Sequence, residues 1–344
     1  MQSEAPSDDR IDITSDVLPE RDSRLDRVLS TVDGWIISST QGTGQSRYDG
    51  RIGEARRAGE GVSELVALGQ HGDYRDGRGW SNLSPRLVAV SNDRKYIINL
   101  VRGPSFGNAG PSKANPADYM TGNVVVFAGN DKPVVNLTKL GSYSGLFASA
   151  VAWFEDEGLL LTVVSDVNPA TGIASPRRGT ERPHCINLEG VYAGTPAQFP
   201  RIHKFYEAWS STRLVGRRHP DGSTRWFVIQ GEDASVELFR CSSEESNLPV
   251  AFPLSLDARM LVAGSNGYGT WLVRLGDDAE ARKVSDADLV SVDPLGGTVI
   301  MRTGTSLSTD GRVWLADLRH VIGEGEFDCP PTIPLNFWYG RVNE

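Results

Sequence analysis

The chain has 344 residues, a formal net charge of −9 and three cysteines that form no CxxC pair. This charge disfavours nucleic acids and anionic membranes as partners, since both require a positive surface. Widely separated cysteines indicate neither a disulfide framework nor a zinc site. The opening MQSEAPSDDRIDITSD is polar and acidic, unlike a secretory signal, and no long apolar run follows. We therefore expect a cytoplasmic protein without a cofactor.

Residues 1–24 carry many charges and few large apolar groups. This composition predicts a flexible acidic tail. The segment RIDIT within it offers an alternative, in which it adds a strand to a sheet begun by the other end of the chain. Residues 25–344 are predicted to form a single domain.

From residue 25 onwards one unit recurs, made of two short apolar runs around an Asp-containing turn and a third run after them. The clearest copy lies between Asp288 and Leu318. In chain order the turns contain Asp33, Asp93, Asp156, Asp221, Asp257 and Asp293. The third runs are SELVAL, NVVVFAG, HCINLEG, SVELFRC, GTWLVRL and GRVWLADL. This repetition predicts an all-β, six-bladed β-propeller. Seven blades are the alternative if the tail and the C-terminal NFWYGRV form another blade.

The first three copies are each longer than the last two by roughly 25 residues, which points to long loops. The inserted segments are Thr40 to Gly61, Arg102 to Gly122 and Asp166 to Pro183, each between the second and third strands. Strands of a blade alternate in direction, so these connections are expected on one face. Clustered long loops favour a functional surface there.

The inserted segments are basic on an acidic chain, which predicts attraction of an anionic ligand to their face. Their charged residues are Arg47, Arg51, Arg56, Arg57, Arg102, Lys113, Arg177, Arg178 and Arg182 against Asp49, Glu54, Glu60, Asp118, Asp166 and Glu181, a net charge of +3. The expected partner is an acidic protein segment or an anionic small molecule. The candidate ligand-binding residues are Arg102, Arg177, Arg178 and Arg182, with Tyr143 and Trp209 in links between blades for stacking.

Catalysis is the alternative to binding. Asp166, His184, Asp286 and Asp288 lie on connections expected at the funnel over the ring axis, where carboxylates and a histidine can act as acid or base. A propeller enzyme of the lactonase, hydrolase or synthase type would place its active site there. The five histidines show no HxH or HExxH spacing, so no metal site is predicted.

Two stretches carry a family resemblance. RVWLADL resembles the end of a WD40 repeat, and SNDRKYIIN is similar to the hairpins of TolB-like propellers. The resemblance covers about residues 25 to 340 as a pattern, and it implies a propeller of the WD40-like and TolB-like superfamily. It transfers no catalytic residue. A recognition module is the function that the loop asymmetry favours.

Overall fold

A computed structural model describes 24 strands, which form six four-stranded sheets, and two α-helices. The described residues are 11–12, 23–30, 34–43, 47–56, 62–67, 83–90, 96–102, 122–128, 132–136, 147–164, 181–186, 192–232, 234–242, 249–265, 267–303, 312–323, 326–335 and 337–340. The chain divides into two compact units. One is Asp16–Ile202, and the other combines Met1–Ser15 with His203–Glu344.

The Asp16–Ile202 unit contains three sheets in which four antiparallel strands pair in chain order. The first has β2 (Ser23–Ser30), β3 (Gly34–Thr43), β4 (Arg47–Arg56) and β5 (Val62–Ala67). The second has β6 (Leu83–Val90), β7 (Tyr96–Arg102), β8 (Gly122–Ala128) and β9 (Lys132–Asn136). The third has β10 (Phe147–Phe154), β11 (Gly158–Val164), β12 (Glu181–Ile186) and β13 (Tyr192–Gly194). The hairpins predicted around Asp33, Asp93 and Asp156 are confirmed.

The first sheet corrects one prediction. Thr40 to Gly61 was expected to be an inserted loop, but β4 lies inside it and pairs with β3 from Thr43 to Gly34. SELVAL therefore supplies the fourth strand rather than the third. Glycines and charged residues hide the strand pattern of β4, whereas the backbone hydrogen bonds of a ladder need no apolar side chain. Arg47, Arg51 and Arg56 consequently lie on a strand.

The second unit also contains three sheets. Their strands are β14 (Thr212–Arg218), β15 (Thr224–Gln230) and β16 (Ala234–Cys241); β17 (Val250–Pro253), β18 (Met260–Ser265), β19 (Gly269–Arg274) and β20 (Glu280–Ser285); and β21 (Asp288–Asp293), β22 (Thr298–Arg302) and β23 (Val313–Asp317). The hairpins predicted around Asp221, Asp257 and Asp293 are confirmed.

Both ends of the chain complete sheets of this unit. Strand β1 (Ile11–Asp12), part of the RIDIT segment, pairs antiparallel with β23, with Ile11 opposite Leu315. Strand β24 (Phe337–Gly340) pairs parallel with β14. Phe337–Gly340, from the C-terminal NFWYGRV, thus joins an existing sheet.

Two helices interrupt the strands. Helix α1 (Pro200–Ser211) was not predicted; proline suits its first position, and buried Ile202, Phe205 and Trp209 recur at helical spacing. Helix α2 (Leu318–Ile322) begins where the Asp317 carboxylate accepts hydrogen bonds from the backbone N–H of Arg319 and His320. In the described part of the chain neither helix, nor any other, is long and apolar enough to cross a membrane.

A hydrophobic core of the second unit lies between the β17–β20 sheet and the β21–β23 sheet. Its buried members are Phe252, Leu254, Val262, Leu272, Ala287, Leu289, Val292, Val299, Met301, Ala316, Leu318 and Ile322. Side chains from two sheets and α2 meet here, so the burial of apolar surface fixes these elements to one another.

Candidate functional site

Two long connections join second to third strands in neighbouring sheets of the Asp16–Ile202 unit. Strand β7 ends at Arg102 and β8 begins at Gly122, while β11 ends at Val164 and β12 begins at Glu181. Strand β10 packs against β6, β7 and β8, so the two sheets are neighbours. The equivalent connection of the first sheet spans only Thr43 to Arg47. Two of the three predicted insertions therefore separate their strands.

Two of the candidate ligand-binding arginines lie on the strands that flank these connections. Arg102 is the last residue of β7. Arg182 lies on β12, opposite Val163, and His184 follows on the same strand opposite Leu161. The other predicted site residues of this region, Tyr143, Asp166, Arg177 and Arg178, lie outside the described residues.

Asp288 has the most distinctive environment of the four acid–base candidates. It is the first residue of β21 and is 5% exposed. Its Oδ1 accepts hydrogen bonds from the backbone N–H of Gly267 at 2.8 Å and of Gly269 at 3.3 Å. Burial raises the pKa of this carboxyl, against the opposing effect of the two amide hydrogen bonds and of the charges of Arg302 and Lys283.

The turn that Asp288 holds is tightly packed. Gly267 and Gly269 both have φ of +81°, a conformation that other residues rarely adopt. A Cβ on Gly269 would lie 2.4 Å from the carbonyl oxygen of Ser285, whereas one on Gly267 would meet nothing within 4 Å. The Thr270 hydroxyl donates to the carbonyl of Ala287 at 2.7 Å. Asp288 therefore fastens the β18–β19 turn to the link that enters β21.

Asp286 lies in a different environment although it is only two residues away. Its side chain is 96% exposed, with Oδ1 2.6 Å from Nζ of Lys283. The hydrogen bond and charge of Lys283 lower the pKa of the Asp286 carboxyl. The pKa values of the two described acid–base candidates are thus shifted in opposite directions. Within the described ranges, no group of three or more His, Cys, Asp or Glu side chains could hold a metal ion.

Trp209 was predicted in a link between blades, and the structure places it in the link from β13 to β14, which forms helix α1. Its side chain is 8% exposed, and its buried indole N–H has no hydrogen-bond partner among the described residues. Helix α1 begins where the Glu157 carboxylate accepts hydrogen bonds from the backbone N–H of Arg201 and Ile202, at 3.2 and 2.9 Å. Arg201 also forms an ion pair with Asp156 at 3.1 Å. The first turn of α1 is therefore held by the β10–β11 hairpin, which is distant in the sequence.

The three cysteines, Cys185, Cys241 and Cys329, are all buried. Burial, followed by the charge of Glu157, raises the pKa of the Cys185 thiol to about 12. That thiol stays protonated at neutral pH, and a protonated thiol is a poor nucleophile.

A row of arginines crosses the β14–β16 sheet, and the sequence analysis missed it. Arg217 on β14 is opposite Arg225 on β15, and Arg225 is opposite Arg240 on β16. We call these three residues the arginine row. Directly opposite residues project from the same face of a sheet. The sequence held a signal, because Arg217 and Arg225 lie at equal distances on either side of Asp221 in the predicted hairpin.

Each arginine of the row has a different neighbour. The guanidinium of Arg217 lies 4.9 Å from the centre of the Phe227 ring. Nη1 of Arg225 lies 3.4 Å from the carboxylate of Glu237. Arg240 pairs with Asp221 and donates from Nε to the Ser223 hydroxyl at 2.9 Å.

The Asp221 carboxylate also organises the turn beside the row. It accepts hydrogen bonds from the hydroxyl and the backbone N–H of Ser223, at 2.6 and 2.9 Å. These bonds, together with the charge of Arg240, lower the pKa of Asp221. This carboxylate consequently remains charged at neutral pH.

No protein-family model matches the chain, and no curated protein matches its sequence. Among solved structures it is similar to the β-propeller domain of the Trilobed protease from Pyrococcus furiosus, at 12% identity over 90% of this chain and 84% of that one, with a TM-score of 0.34. A puromycin-hydrolyzing peptidase of Mycobacterium tuberculosis matches at 15% identity over 98% of this chain and 52% of that one, with a TM-score of 0.37. The C-terminal WD40 domain of Sif2 matches at 9% identity over 85% of this chain and 96% of that one, with a TM-score of 0.37.

The chain thus spans about half the length of the peptidase it matches. The structural neighbours include propeller and WD40-like folds. They include enzymes as well as a WD40 domain, and the likeness identifies no ligand.

Proposed function

We propose that the chain is a six-bladed β-propeller recognition module that binds an acidic protein segment or an anionic small molecule at its long second-to-third connections. The observation that carries the proposal is the pair of connections between β7 and β8 and between β11 and β12. Each is several times longer than the β18–β19 connection, and they belong to neighbouring sheets. Long connections in compact domains are usually retained for function.

The charge of these connections supports an anionic ligand. Residues 102–122 and 165–182 contain Arg102, Lys113, Arg177, Arg178 and Arg182 against Asp118, Asp166 and Glu181, a net charge of +2 on a chain of −9. A local positive surface on an acidic protein attracts anions to one place. Guanidinium groups suit this task, because they bind carboxylates and phosphates through paired hydrogen bonds.

Recognition is favoured over catalysis by the surroundings of the described acid–base candidates. The Asp288 carboxylate already accepts two backbone N–H groups, and Asp286 faces solvent beside Lys283. An acid or base that acts on a substrate must lie within hydrogen-bond reach of the proton it transfers. The alternative, that the protein is an enzyme, therefore rests on Asp166 and His184. Turnover of a substrate by the protein would establish this alternative.

The test is neutralisation of Arg177 and Arg178 in the full chain. A fluorescein-labelled hexaglutamate peptide is titrated by fluorescence anisotropy at two salt concentrations, and citrate serves as the small-anion probe. We expect Arg177→Gln/Arg178→Gln to weaken binding of the peptide about tenfold, since two exposed charge contacts together contribute about 1.4 kcal/mol. The dependence of the peptide affinity on salt should fall as well.

Arg312→Gln/Arg319→Gln is the matched control. It removes the same charge from exposed positions beside β23 and on α2. Equal weakening in both double variants would trace binding to net charge alone. Wild-type affinity of Arg177→Gln/Arg178→Gln would refute the assignment of the ligand site to these connections.

A further inference from the structure

We propose that the β14–β16 sheet carries a second docking surface, on which the arginine row and its apolar neighbours bind an acidic peptide containing apolar side chains. This surface comprises Arg213, Arg217, Arg225, Phe227, Ile229 and Arg240. It belongs to a different sheet from the strands that the long connections join, and it is independent of the proposed function.

The alignment of the row is the first argument. Neighbouring strands lie about 4.8 Å apart, so side chains opposite one another in the ladder project close together. Like charges directly opposite each other destabilise a sheet. Strand pairing alone therefore gives no reason for Arg217, Arg225 and Arg240 to occupy opposite positions. An anion that bridges neighbouring guanidinium groups would remove this repulsion.

The row has unused hydrogen-bonding capacity. A guanidinium has five N–H donors, yet the Arg225–Glu237 pair is 3.4 Å long, and the buried Arg225 Nε–H has no hydrogen-bond partner among the residues that the structure describes. Within the described part of the chain, no carboxylate forms an ion pair with Arg217, which lies over Phe227. The side chains of Arg225 and Arg240 are 36% and 48% exposed, so a ligand can reach them.

The internal carboxylates can be displaced. Exposed ion pairs of this kind contribute about 0–1 kcal/mol, because solvent screens them. A ligand carboxylate that approaches Arg217 and Arg225 together can form two contacts where Glu237 forms one. Glu237 therefore acts as a weak internal competitor for Arg225.

Apolar side chains on the same face distinguish a peptide from other anions. Phe227 and Ile229 alternate with Arg225 along β15, so they project from the face that carries the row, and both are partly exposed. Opposite Ile229 lies Arg213, which is exposed. A free phosphate or a nucleic-acid backbone would make no use of Phe227 and Ile229.

The decisive experiment uses a fluorescein-labelled peptide in which glutamates alternate with leucines. Arg217→Gln/Arg225→Gln should weaken its binding at least tenfold and Arg177→Gln/Arg178→Gln should weaken it less, whereas Arg312→Gln/Arg319→Gln should leave its affinity unchanged. Replacing the leucines of the peptide by serine should weaken binding about threefold. Loss of peptide binding in Arg177→Gln/Arg178→Gln alone would overturn the inference and leave the proposed function intact.

Two further measurements can overturn the inference. An oligothymidylate of the same charge that binds as tightly as the peptide would assign the row to polyanions in general. Glu237→Gln removes the internal competitor and should tighten peptide binding about threefold, and an unchanged or weaker affinity would contradict the docking surface. This variant keeps all three arginines, so it decides the question even if Arg217→Gln/Arg225→Gln does not fold.

Discussion

Two connections occupy equivalent places in their sheets but differ greatly in length. They are the turn between β18 and β19 and the long connection between β7 and β8. The turn between Ser265 and Gly269 is short and is held by the buried carboxylate of Asp288. The connection from Arg102 to Gly122 joins two strands that already pair at Val101 and Gly122. Reversal of the chain here therefore requires only a few residues, and the remaining length of the long connection needs another explanation.

The short turn also shows how two of the three sheets of the second unit are joined. Asp288 belongs to the β21–β23 sheet, while the N–H groups that it accepts belong to the turn of the β17–β20 sheet. A turn fixed in this way contributes to folding and is poorly placed to adapt to a ligand. The first two predictions measure how firmly it is fixed.

Gly269→Ala should have the largest effect on stability. The added methyl group would lie 2.4 Å from the Ser285 carbonyl oxygen, and φ of +81° is itself unfavourable for alanine. We expect a loss of about 3 kcal/mol of unfolding free energy, from overpacking and from backbone strain together. Urea denaturation followed by tryptophan fluorescence measures this loss.

Gly267→Ala is the matched control, with the same φ and open space around its Cβ. This variant should lose only about 1 kcal/mol of unfolding free energy, which is the contribution of backbone strain alone. Equal losses in the two variants would show that the contact with the Ser285 carbonyl oxygen has no energetic importance.

Asp288→Ala comes next, with an expected loss of about 2 kcal/mol at neutral pH. The change leaves the N–H groups of Gly267 and Gly269 without their acceptor, and unsatisfied buried donors typically have a cost of this size. The variant no longer buries a carboxylate, and the absence of that desolvation cost offsets part of the loss. Thermal unfolding monitored by circular dichroism gives the comparison with the wild type.

Asp288→Asn separates the hydrogen bonds from the charge, because its amide oxygen can still accept both N–H groups. The pKa of Asp288 is raised in the folded protein, so the folded state keeps a proton that the unfolded chain has already released. The stability that this proton contributes is present below the usual pKa and is lost as pH rises through the raised value. The stability of Asp288→Asn relative to the wild type should therefore increase as pH rises from 4 to 7. A constant difference between the two would contradict a raised pKa for Asp288.

The sequence predicted the sheets where turn chemistry and strand patterning were both local. All six Asp-containing hairpins could be found in this way, because an Asp or Gly turn between two apolar runs fixes which strands are neighbours. The same reasoning failed for β4, which consists mainly of glycines and charged residues. This strand pairs with the long strand β3 over its whole length. A local sequence pattern cannot identify a strand whose pairing depends on the neighbouring strand.

Side-chain environments were predicted less well, since they depend on contacts between distant segments. Asp288 was selected as an acid–base candidate, but its partners Gly267 and Gly269 come from another sheet. Trp209 was placed in the link between two sheets, where it lies, but the helix α1 that forms this link was missed, and its start depends on Glu157, far away in the sequence. The arginine row was missed, although it could have been predicted from the sequence, because a hairpin turn determines the strand register.

Shortening the β7–β8 connection should have the smallest effect on folding and tests the other side of the comparison. Replacing residues 103–121 by a five-residue Gly-Ser-Asn linker should raise the unfolding free energy by about 1 kcal/mol, because a shorter loop loses less entropy on closure. Binding of the hexaglutamate peptide should weaken at the same time. A control that replaces the same residues by a Gly-Ser linker of equal length separates the effect of length from that of side chains. If the shortened protein instead loses several kcal/mol, the connection is part of the folding core, and its length no longer argues for a ligand.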